Sequence, residues 1–290
     1  IAGPIVHHKE MIPQFKSLAT KTINHDNIIR GIFIFCIGLF KKIVIADYLS
    51  VIVDSGFKNS SAIGLLDSWI VSLSYTFQLY YDFSGYCDMA IGAALLFNIK
   101  LPINFNSPYK ACNIQEFWRR WHVTLGRFLK EYLYIPIGGS KLGMNRSYVN
   151  LLIVFLVAGL WHGASYTFVV WGLLHGLAMI VHRLFSIKLQ LSIPKYPAWF
   201  LTFFFINCSW VIFRASNIDI AISMLSAMFD FSSIYRYDIT VLMHELGNIV
   251  IIAVLLYAIS LRNSQEVMAG LKYNMYNGVI LLLCSTVSVY

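Results

Sequence analysis

The chain has 290 residues, 58% of them hydrophobic and 12% charged, with a mean hydropathy of +0.66. A soluble domain carries about 25% charged residues, so half that charge cannot cover a water-facing surface and most of the exterior must face lipid. The net charge of +8 would point to nucleic acid in a soluble protein. Here the cations cluster beside apolar segments, as the positive-inside rule and anionic headgroups require, so the expected partner is the lipid bilayer and not nucleic acid.

The chain opens on Ile1 and closes at Tyr290, inside an apolar run that begins near Gly278. A single membrane domain over 1–290, truncated at both ends, is expected. Residues 1–30 are polar and carry Lys9, Lys16, Lys21 and Arg30. The first apolar stretch, Ile32–Val53, is interrupted by Lys41-Lys42. Two lysines at mid-depth cost several kcal/mol, which predicts an interface there or a bend between two helices. A second apolar block, Leu65–Phe97, contains Asp82, Ser84, Gly85 and Asp88. Its two acids are six residues apart and do not stack on a regular helix. A structural role is expected for both, binding backbone donors at a break near Gly85, with the orientation of a histidine as the other reading.

Residues 98–146 form a basic, aromatic connection in which eight Lys/Arg accompany only Glu116 and Glu131. Asn113 followed by Glu116 has the form of a helix N-cap with an acid at the third position. The spacing predicts an interfacial helix from there to about Tyr134, pairing Glu116 with Arg120 and Arg127 with Glu131. Trp118, His122, Leu125 and Leu129 would then share one apolar stripe. The cations read either as headgroup anchors or, for Lys110, Arg119 and Arg120, as attractors of a phosphorylated donor, since the planar guanidinium donates two bonds to phosphate.

Ser147–His182 contains no Asp, Glu, Lys or Arg. Its apolar part, Val149–Val181, would measure ~50 Å as one helix, against roughly 30 Å of hydrocarbon, so it should break or tilt, with Gly159 and Gly163 as the natural places. His162 sits between these glycines. A polar ring at that depth must face the protein interior or a water-filled cavity. Two readings are open: a neutral imidazole poised to accept a proton, or a packed ring bonded to a carbonyl. His175, thirteen residues on, is about 220° around a continuous helix and reads as packing. Further apolar runs cover about Pro197–Phe213, Asn248–Leu261 and Gly278 onward. The basic regions 1–30 and 98–146 belong in the cytoplasm, with an even number of crossings between them. Five scattered cysteines without CxxC spacing predict neither a disulfide framework nor a metal site.

Ordered motifs then add a resemblance. They are Gly38-Leu39-Phe40-Lys41-Lys42, Tyr81-Asp82-Phe83-Ser84-Gly85-Tyr86 with Asp88-Met89-Ala90-Ile91-Gly92, and Asn104-Phe105-Asn106-Ser107-Pro108-Tyr109. They continue as Glu116-Phe117-Trp118-Arg119-Arg120-Trp121-His122, Tyr132-Leu133-Tyr134-Ile135-Pro136-Ile137-Gly138-Gly139 and Gly159-Leu160-Trp161-His162-Gly163. Over residues 1–183 at least, the chain resembles the membrane-bound O-acyltransferases, in the bacterial branch that acetylates alginate and peptidoglycan. The Gly138-Gly139 pair favours that branch over the related D-alanyl-transferring one.

The resemblance implies an all-α polytopic protein, a ring of tilted and interrupted helices around a central tunnel, in the bacterial inner membrane. It implies that His162 is catalytic with His122 as its polar companion. Acetyl-CoA is the expected donor, near Lys110, Arg119, Arg120 and Trp161, with no metal. A periplasmic acetyltransferase is the expected partner, carrying the group to a polysaccharide. No Ser-His-Asp arrangement or G-x-S-x-G elbow is present for an acyl-serine route. The rival classes are a transporter or flippase, with Asp82, Asp88, His162 and His175 as an intramembrane path, and a scaffold of a secretion complex.

Overall fold

The computed structural model describes residues 3–236 and 239–271, and all regular structure among them is helical. A short helix α1, His8–Lys16, precedes α2, His25–Phe40, which Asn24 caps by accepting from the Asn27 N–H at 3.1 Å. Helix α2 passes through a wide π turn, Lys41–Ala46, into α3, Asp47–Lys58. Helix α4, Leu65–Leu96, returns alongside them.

Glycines let α2 and α4 touch backbone to backbone. A Cβ on Gly38 would stand 2.6 Å from the Gly85 carbonyl, and one on Gly92 would stand 2.5 Å from that of Gly31. Small residues are the usual means of close helix approach where lipid offers no hydrophobic drive. The approach also places the lysines of the π turn against the acids of α4. Lys41 Nζ bonds Asp88 Oδ2 at 2.7 Å and Ser264 Oγ at 2.9 Å, while Lys42 pairs with Asp82 and, at 3.2 Å, with Asp47. The interrupting lysines and the acids of α4 are each other's partners. No break occurs at Gly85: α4 runs straight through it, and Asp88 is satisfied by side chains instead of backbone donors.

The connection departs from the single helix expected over 114–134. It forms α5, Ile114–Arg120, and α6, Val123–Leu129, parted at Trp121-His122 and followed by a wide turn, Lys130–Tyr134. The incoming loop supplies the reason. Asn106 N donates to Arg120 O and Val123 N to Asn104 O, each at 2.9 Å, so strand-like pairing replaces helical bonds at the gap. His122 takes a left-handed conformation there, φ +44°. The Glu116–Arg120 pair forms at 2.8 Å. Arg127 instead binds Glu10 of α1, because the wide turn carries Glu131 off the i+4 position, beside His7 at 3.4 Å. The Arg127 hydrogen bond holds the Glu10 carboxyl below its ordinary range.

The charge-free stretch breaks at Gly163, giving α7, Met144–His162, and α8, Tyr166–Arg183. Gly159 does not break the chain; it packs on α8, where an added Cβ would meet the Phe168 carbonyl at 2.3 Å. Arg183 donates to Ser147 Oγ at 2.8 Å, so the end of α8 lies beside the start of α7 and the two are antiparallel. Helices α9, Lys195–Arg214, α10, Ile218–Ala227, α11, Ile239–Ser260, and α12, Ser264–Ala269, complete the described chain. Among the described residues, Met144–His162, Tyr166–Ser186 and Lys195–Arg214 are long and apolar enough to cross a membrane. The apolar run expected from Gly278 lies outside the described residues.

Candidate active site: two histidines on one cavity

A cavity of about 680 Å³ lies between α7, α8, α9 and the broken connection. Leu151, Val154, Phe155, Ala158 and His162 of α7 line it, an i, i+3, i+4 stripe that runs ~16 Å along the helix axis. Met179 and Arg183 of α8 and Trp210 and Phe213 of α9 face them. The walls are therefore apolar and aromatic. Arg119, Lys130 and Arg183 line the same cavity, and among the described residues none of the three is paired with a carboxylate. Since α7 and α8 are antiparallel, Arg183 and His162 sit at opposite ends of that pair.

His162 is the last residue of α7, half-buried in a cage of rings. Its ring centroid lies 4.9 Å from Trp161, 5.5 Å from Trp171 and 5.0 Å from Phe213. Among the described residues no hydrogen-bond partner reaches either ring nitrogen. His122 lines the same cavity from the gap between α5 and α6, with Phe83 of α4 at 4.8 Å. Its Nδ1 lies 3.1 Å from Asn104 Oδ1. Burial holds this imidazole down, to about 4, and charge on His162 pushes the same way, so His122 is neutral near pH 7. Trp118 and Leu125, which would share a face with His122 on an unbroken helix, line the same cavity, so the break at 121–122 leaves all three on it.

His175 is fully buried. Its Nδ1 accepts from Trp118 Nε1–H at 3.2 Å, and its Nε2 meets Ser209 Oγ at 3.1 Å. Ser209 donates onward to the Ile206 carbonyl at 2.8 Å, so the ring must donate from Nε2 and both nitrogens are occupied. This histidine packs α5, α8 and α9 together and fixes Trp118 on the cavity wall.

Of the residues expected to hold a donor, only Arg119 lines the cavity. Arg120 is committed to Glu116 and to the Asn106 carbonyl at 3.1 Å, and Lys110 donates to the Leu261 carbonyl at 2.7 Å. Trp161 is exposed and does not line the cavity, with its ring 4.9 Å from that of His162. Sequence reasoning missed Arg183, Lys130 and Asn104. Arg183 was signalled by its place as the first cation after the charge-free stretch, which puts it at a helix end. Asn104 opens the Asn104–Tyr109 motif, but its contact with His122 depends on where the 121–122 break falls.

Two histidines facing a shared apolar cavity with a cationic end define a membrane-embedded site suited to proton exchange with an anionic, elongated ligand. The chain belongs to the membrane-bound O-acyltransferase family, whose model matches residues 1–225. It is 59% identical over 231 residues to a peptidoglycan O-acetyltransferase of Helicobacter pylori, covering 79% of this chain and 44% of the relative. A probable alginate O-acetylase of Pseudomonas aeruginosa is 38% identical over 268 residues, 90% of this chain and 50% of the relative. A teichoic acid D-alanyltransferase of Bacillus subtilis is 27% identical over 192 residues, 64% of this chain and 49% of the relative. The chain thus spans about half the length of the curated relatives it matches.

Proposed function

We propose that the whole protein is an O-acetyltransferase of the bacterial inner membrane, serving the acetylation of peptidoglycan or an alginate-like polysaccharide. The observation that carries this reading is the placement of His122 and His162 on one cavity that Arg119, Lys130 and Arg183 also line, none of the three paired with a carboxylate among the described residues. The helices would form the ring of tilted elements around a tunnel that the family resemblance implies. A cytoplasmic thioester, acetyl-CoA, fits this site chemically. Its phosphates match Arg119, Lys130 and Arg183, and its slender arm matches the apolar stripe that leads to His162.

In the proposed reaction an acceptor hydroxyl, too weak a nucleophile at its own pKa, attacks the thioester carbonyl carbon. His162 takes the hydroxyl proton as general base. The carbon–sulfur bond breaks, and the departing thiolate recovers that proton to leave as the free thiol. His122 completes the polar pair. The acetyl group would then reach the polysaccharide through a periplasmic acetyltransferase partner.

The transporter reading loses support because Asp82 and Asp88 are committed to Lys42 and Lys41 and neither lines the cavity. The test is thioester turnover by purified full-length protein, with acetylation of surface glycan in cells, for wild type and His162→Ala at matched abundance. Loss of both is expected. Normal acetylation in the variant would overturn the proposal.

A further inference from the structure

Asn104 lies in the loop before α5, fully buried, and its side-chain oxygen is the focus of three donors. Thr124 N–H approaches Oδ1 at 3.2 Å, the Thr124 hydroxyl at 2.9 Å and His122 Nδ1 at 3.1 Å. A backbone N–H can only donate, so the amide atom facing Thr124 must be the oxygen. The remaining contacts agree. Ile5 N–H donates to the Thr124 hydroxyl at 3.0 Å, freeing that hydroxyl's own proton for Asn104, and Asn104 Nδ2 points away to Cys87 Sγ at 3.4 Å. An oxygen that accepts from Thr124 also accepts from the ring beside it. His122 Nδ1 therefore carries the proton, and in the neutral ring Nε2 keeps its lone pair. Among the described residues nothing bonds Nε2, and the ring lines the cavity.

We infer that Asn104 is a positioning residue that holds His122 as the Nδ1–H tautomer, so that the cavity meets a proton-accepting Nε2. The inference rests on the acyl-transfer reading only for its consequence. With its only proton on Nδ1, a neutral His122 offers the cavity an acceptor at Nε2 and does not donate a hydrogen bond to the thioester carbonyl. The left-handed turn at His122 and the capping of α6 by the same Asn104 oxygen make tautomer and ring direction one geometric decision. Orientation of a base by a third group is the general logic of catalytic triads.

The experiment is nitrogen-15 NMR of the full-length protein labelled at histidine, in lipid nanodiscs, with the His122 signals assigned by difference against His122→Gln. The expected spectrum shows a protonated Nδ1 and an unprotonated Nε2 for His122. Asn104→Asp, which keeps the acceptor oxygen, should keep that pattern and most of the acetyl transfer. Asn104→Leu should mix the tautomers and lower kcat about 100-fold with KM nearly unchanged. Because the Asn104→Leu change also leaves α6 uncapped, thermal unfolding measured in parallel reads that structural cost, while Thr124→Val, which keeps the backbone cap on Asn104 and removes only the hydroxyl donor, should retain the wild-type tautomer. A protonated Nε2 in the wild type, or unchanged tautomers in Asn104→Leu, overturns the inference. The Nδ1–H pattern in a protein whose acetylation stays normal in His162→Ala overturns the acyl-transfer reading and leaves the tautomer assignment standing.

Discussion

His162 and His175 lie thirteen residues apart in one charge-free stretch, each just after a tryptophan-bearing apolar turn and just before a glycine. Their surroundings in space are opposite. His175 has a hydrogen bond on each ring nitrogen and no exposure, whereas His162 is half-buried on a cavity wall with both nitrogens free of partners among the described residues. A buried imidazole with both nitrogens engaged is a structural joint, since any proton it gained would disrupt an existing bond. An imidazole with open nitrogens beside a cavity can exchange protons with whatever enters. Helical position explains the difference: His162 ends α7 at the chain reversal, and His175 sits mid-way along α8 between three neighbours.

Substitution at the two sites should separate these roles. The largest effect is expected from His162→Ala, a drop of about 10²–10⁴ in thioester turnover with the melting temperature held, read by parallel kinetics and thermal unfolding of purified full-length protein. A variant that melts early while keeping its turnover per folded molecule would erase the contrast with His175. Next comes Asp88→Asn, which strands the buried Lys41 ammonium. Removing one partner of a buried pair costs about 3–5 kcal/mol, visible as a lower denaturation midpoint. A transport role for this pair predicts the reverse, lost translocation with full stability.

A smaller change is expected from His175→Leu, which leaves the Trp118 N–H unpaired at a cost of about 1–3 kcal/mol. Turnover per folded molecule should fall only a few-fold; complete loss at full stability would give His175 a chemical role. The smallest effect concerns Glu10, away from both histidines. Arg127 depresses its carboxyl, so the contribution of this pair to stability is present above the unfolded carboxylate pKa. It is lost as pH falls through the lower folded value. The protection of α1 amides against hydrogen exchange, referred to the intrinsic rate at each pH, should fall below about pH 4, and Glu10→Gln should abolish that fall.

Much of the helical order was legible along the chain. Asn113 and Glu116 announce α5, the glycines around His162 announce a reversal, and the apolar runs bracket α7, α8 and α9. These features rest on local physics: caps, hydrophobic length and backbone permissiveness at glycine. The pairing of Lys41 with Asp88 was not legible, because 47 residues separate them and only the glycine contact of α2 with α4 brings them together. The break at Trp121-His122 was hidden for a similar reason. Its residues have ordinary helical spacing, and the backbone groups that displace the helix come from Asn104 and Asn106.

Composition by itself determined a lipid-facing helical protein, because so few charges cannot solvate its surface. The ordered motifs determined its family and marked His122 and His162. Only the tertiary structure decided that these two share a cavity, that His175 does not, and that Arg183 joins Arg119 at the cationic end. Histidine chemistry depends on which nitrogen is bonded and to what, and those partners are supplied by segments far away in the sequence.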